Sequence, residues 1–170
     1  MRYLLSSLVV SYLMMFASIA NAIELAPFFR GYTFACEIRN KSGKEIIKWL
    51  APIDATGSVG TKPALPANLS EALGKPVVLD KEYHWLYTVA LEAATFNGVS
   101  ASAIKRWYGK DNGIIGFAIV FDAPVPVIKA AFKHVRFTTD ESPMQATRVI
   151  AELVFDEATG KSSLICDSSN

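Results

Sequence analysis

The chain has 170 residues, a formal net charge of +1, and 51% hydrophobic against 19% charged side chains. A near-neutral balance excludes a general electrostatic attraction to nucleic acid or to an acidic membrane surface. Two histidines and two cysteines, with no close Cys-x-x-Cys pair, offer no spacing that fits a metal or redox motif.

The first 22 residues read as a signal peptide. Met1 and Arg2 precede an apolar run over 3–19, and the small triplet Ala20-Asn21-Ala22 comes before the first acid, Glu24, which is the order of n-region, h-region and cleavage site. Serines at 6, 7, 11 and 18 interrupt the run, and no basic stop follows, so a permanent membrane anchor is not expected. The expected product is a single soluble domain over 23–170, long enough to bury a core without metal. Removing Arg2 leaves its basic and acidic side chains equal in number.

Residues 32–39 alternate Tyr32, Phe34, Cys36 and Ile38 with smaller or charged neighbours, the period of a half-buried strand. Asn40-Lys41-Ser42-Gly43 supplies turn chemistry, and 45–50 is expected to return as a second strand. The Pro-, Gly- and Ser-rich stretch 51–66 is expected to be a surface loop. A short helix is predicted over 68–74, with Asn68 as cap and Gly74 as stop.

Segment 83–96 fits either period, but its aromatic and β-branched content and the following Asn97-Gly98 favour a strand leading into a tight turn. Its partner strand is 99–108, followed by a turn at 109–113 and a continuous apolar strand at 114–121 buried on both faces. Pro124 and Pro126 suit the first turn of a helix, and Val127, Ile128, Ala131, Phe132 and Val135 repeat at helical spacing behind them. Residues 148–155 and 162–166, joined by a turn at 156–160, form a closing hairpin. The predicted fold is α+β: a single antiparallel sheet of meander and terminal hairpins, with one main helix packed on it.

Cys36 and Cys166 are expected to pair, because an exported protein meets an oxidising compartment. Closing so long a loop stabilises a fold by on the order of 5 kcal/mol on the chain-entropy argument. The bridge would link the N- and C-terminal strands, and it would leave neither sulfur free as a nucleophile.

No stretch carries a chemistry-specific motif. His84 and His134 lie in different elements, and Ile104 stands where a nucleophile elbow centred on Ser102 would need its second glycine. Glu82, Glu92 and Asp122 are scattered, and Asp156-Glu157 belongs to a turn. No cofactor or metal is expected. Asn40 and Asn68 each open a glycosylation tripeptide, which matters only in a eukaryotic secretory route.

The most suggestive cluster is Lys105-Arg106-Trp107-Tyr108, with Trp85 and Tyr87 on the strand across from it. Trp, Tyr and Arg are the residue types that anchor interfaces. Alternation along the strand would turn Trp107 inward and Arg106 and Tyr108 toward water.

The leading expectation is a periplasmic or secreted non-enzymatic binding protein, an inhibitor or immunity-type partner of another envelope or secreted protein. A small envelope hydrolase with His84 as base is the second reading, and a carrier of an apolar ligand is the third.

Overall fold

A computed structural model describes residues 22–29, 41–51, 64–111, 113–133 and 150–167. Its strands are β1 (Ile23–Glu24), β2 (Val77–Asp80), β3 (His84–Phe96), β4 (Val99–Gly109), β5 (Ile115–Phe121), β6 (Ile150–Asp156) and β7 (Lys161–Asp167), and its helices are α1 (Lys41–Leu50), α2 (Ala67–Ala72) and α3 (Val125–Ala131). The strands join in one seven-stranded sheet ordered β1-β3-β4-β5-β7-β6, with β2 also paired to β3. This corrects the expected single antiparallel sheet: β1 runs parallel to β3, with Ile23 opposite Ala94 and Glu24 opposite Thr95.

The β3–β4 hairpin turns on Asn97 (φ 50°) and Gly98 (φ 74°). Two successive positive φ values match the right-handed twist of the flanking strands, and Asn-Gly is the pair that tolerates them. Glu24 ties the first described strand to this turn. Its carboxylate accepts the N–H groups of Ala26, Asn97 and Gly98 at 2.9, 2.9 and 3.1 Å and the Thr95 hydroxyl at 3.0 Å. Burial alone pushes that carboxyl up, but the four hydrogen bonds outweigh it and hold it below its ordinary value.

Irregularities in β3 and β4 decide where side chains point. The register jumps from Ala90 opposite Ala103 to Ala94 opposite Ala101, and Ala93 takes a φ of 145° in this bulge. Between β4 and β5, Ala101 opposite Phe121 is followed by Ala103 opposite Val120, leaving Ser102 as an inserted residue. One inserted residue exchanges the two faces of everything beyond it.

The inner face is the core. Phe96 of β3 and Phe121 of β5 meet Phe29 and Phe132, with ring centroids 5.3–6.4 Å apart. Ile46 and Leu50 of α1, Leu69 of α2 and Ile128 of α3 join the same cluster. α1 is a correction, since 45–50 was expected to be a strand. Gly43, Ile46 and Leu50 share its buried side, so the glycine read as turn chemistry is the first contact of an apolar helical stripe. The predicted 68–74 helix is observed as α2, but it starts earlier and stops sooner: Pro66 rather than Asn68 is its N-cap, and Leu73 rather than Gly74 ends it. The helix expected from Pro124 to Val135 is the shorter α3, with Pro124 as its N-cap.

The strand expected at 32–39 lies outside the described residues, as does most of the 51–66 loop. So does Cys36, and with it the predicted bridge; no disulfide joins two described residues. Cys166, buried in β7 opposite Phe117, is not a free thiol.

Candidate functional site

Strand alternation divides the six expected binding residues between the two faces of the sheet. Tyr87, Arg106, Phe117 and Cys166 stand in one row across β3, β4, β5 and β7, and Trp85, Tyr108 and Ile115 stand in the next. Both rows belong to the inner face, where Tyr87 is buried and Trp85 packs against the core. Lys105 and Trp107 turn to the outer face, beside Ala118 and Gly116. Sequence alternation placed Trp107 inside and Arg106 and Tyr108 outside. The Ser102 insertion reverses that order, because the inner residues Val99 and Ala101 are followed by Ile104, Arg106 and Tyr108.

Each residue of the cluster therefore has a different environment. Burial lowers the pKa of the Arg106 guanidinium, while neighbouring Tyr108 acts in the opposite direction. Among the described residues no carboxylate pairs with it. Burial likewise pushes the Tyr87 hydroxyl up.

On the outer face the Trp107 indole covers Gly116. A Cβ added at Gly116 would fall 1.9 Å from indole Cε2, so even alanine there would displace the ring. Lys110 sits 5.5 Å from the Trp85 ring centre and pairs with Asp80, fastening the end of β2 to the β4–β5 turn.

His84 opens β3 opposite Gly109, and its carbonyl accepts the Lys81 N–H at 2.9 Å. Its imidazole makes no hydrogen bond among the described residues. His134 lies outside them. Asp122 pairs with Lys161 at 2.8 Å, and no group of three His, Cys, Asp or Glu side chains converges among the described residues. No described helix is long and apolar enough to cross a membrane.

Sequence reasoning missed β2. Val77, Val78 and Leu79 are 57%, 49% and 47% exposed, and Tyr83, just beyond the strand, is 60% exposed. The backbone shows which way the strand's polar groups face. Because the Lys81 N–H bonds to His84 across the antiparallel pair, the alternate residues Val77 and Leu79 also turn their N–H and C=O groups toward β3. Val78 and Asp80 turn theirs outward, where no described strand meets them.

Lys75 and Lys81, both exposed, bracket this edge, and Pro76 precedes it. Flanking lysine and proline are common guards against indiscriminate edge pairing. The opposite rim, β6, also exposes Val154 and Phe155, but Glu152 and Asp156 interrupt its apolar character. The sequence signal for β2 was the run Val77-Val78-Leu79, too short to register as a period.

No protein family, no curated protein and no solved structure matches this chain.

Proposed function

We propose that this chain is an exported, non-enzymatic binding protein that works in the periplasm or outside the cell on another secreted or envelope protein. It holds that partner by accepting one of the partner's extended segments as an additional strand beside β2. The observation that carries this reading is the edge itself: three consecutive exposed apolar residues on a strand whose Val78 and Asp80 backbone groups point away from the sheet. Strand addition takes affinity from main-chain hydrogen bonds and specificity from alternate side chains. The two lysines at the ends of β2 favour a segment whose apolar centre is flanked by acids. Export is supported by the leader-like order of the first 22 residues.

The test is a photoreactive amino acid at Leu79 in the full chain, expressed in its own cell, with adducts mapped by mass spectrometry. The reading expects one dominant exported partner, cross-linked through an extended acid-flanked segment. Val78→Pro should abolish the adduct, because proline removes an outward N–H and leaves the bonds to β3 in place. A folded Val78→Pro protein that cross-links like the parent would contradict strand addition, and Val77→Lys supplies the same test by charge.

A further inference from the structure

All three described helices contribute to the inner core, and no described helix lies over the outer face. There Ala103, Val120 and Ser163 stand in one row across β4, β5 and β7. These short side chains floor an open cup of about 190 Å³ beside the β6–β7 turn. Its walls are Ser102, Lys105 and Lys161, with Asp156 from the end of β6 and Thr159 from the turn.

Most of the charge around the cup is already matched. Lys161 pairs with Asp122 at 2.8 Å and donates to the Ser102 hydroxyl at 3.1 Å. Asp156 is occupied by its own turn: the Thr159 hydroxyl and the N–H groups of Ala158 and Thr159 hold its carboxyl below the usual range, and Lys105 adds a weaker pull. Donors are left over. Among the described residues no carboxylate pairs with Lys105, the Ser163 hydroxyl has no partner, and Ser102, an acceptor toward Lys161, keeps its own proton to give.

A site whose acids are satisfied and whose remaining groups donate suits a ligand that accepts. We infer that this cup binds a small organic acid, with its oxyanion on Lys105 and the Ser102 and Ser163 hydroxyls and its apolar body on Ala103 and Val120. The site is independent of β2, so it stands or falls separately from strand addition.

The experiment is an amide NMR titration of the full mature protein with sodium butyrate, its neutral isostere butyramide, and sodium phosphate. Butyrate should shift the Ser102, Lys105, Val120 and Ser163 resonances saturably. Butyramide should bind roughly tenfold more weakly, the difference between charge-assisted and neutral hydrogen bonds. Lys105→Met keeps the apolar stem and should lose butyrate binding without changing the melting temperature. Absence of saturable shifts, an equal response to butyramide, or a Lys105→Met protein that binds butyrate like the parent would each overturn the assignment. Phosphate binding as tightly as butyrate would overturn the role given to the apolar floor.

Discussion

The outer edge of β3 is one strand with two fates. Beyond the bulge, Ala94 and Thr95 are met by parallel β1, and Glu24 closes the adjoining turn by accepting from Thr95, Asn97 and Gly98. Before it, residues 85–88 pair with β2, whose Val77, Val78 and Leu79 are exposed and whose own far side meets no described strand. At the bulge itself Leu73 bridges Leu91, and the Gly74 N–H bonds the Ala90 carbonyl at 2.9 Å. The same chemistry of strand pairing therefore yields a closed edge where a charged acceptor finishes it, and an exposed apolar edge where nothing described does.

The largest effect should come from breaking the closed half. Phe96→Ala removes a ring shared by Phe29, Phe121 and Phe132 and should cost about 3–5 kcal/mol, measured by urea unfolding. A smaller loss should follow Glu24→Gln, about 1–3 kcal/mol, because the turn N–H groups lose a charged acceptor. Its pH dependence has a definite sign. Glu24 sits below its ordinary value of 4.5 when folded, so its contribution is whole above that pH and is lost as pH falls through the lower folded value. The gap between parent and variant should therefore narrow in acid. The smallest effect belongs to the open half: Val78→Pro should shift stability by no more than about 1 kcal/mol, while abolishing partner capture.

Much of the meander was legible in the sequence. Asn97-Gly98 announced the β3–β4 turn, and the apolar run ending at Phe121 announced β5, because these are local signals. β1 was not legible, since its two residues gain meaning only from a pairing with Ala94 and Thr95 some seventy positions away. α1 was misread because Gly43 in isolation looks like a turn residue, and only the contacts of Ile46 and Leu50 show that it belongs to a stripe.

The cluster at 105–108 was visible as residue types, but its division between faces was not. A single inserted residue at Ser102 sets that parity, and no composition rule locates such an insertion. The outer-face cup assembles Lys105, Val120 and Lys161 from three strands, so it has no linear signature.

The most direct measurement is amide-by-amide hydrogen exchange of the isolated protein at low concentration. If β2 is an unpaired edge, Val78 and Asp80 exchange rapidly, while Leu79 and Lys81, bonded toward β3, are protected. Slow exchange at Val78 and Asp80 in the partner-free monomer would mean that another part of the chain already covers the edge, and strand addition at β2 would be wrong.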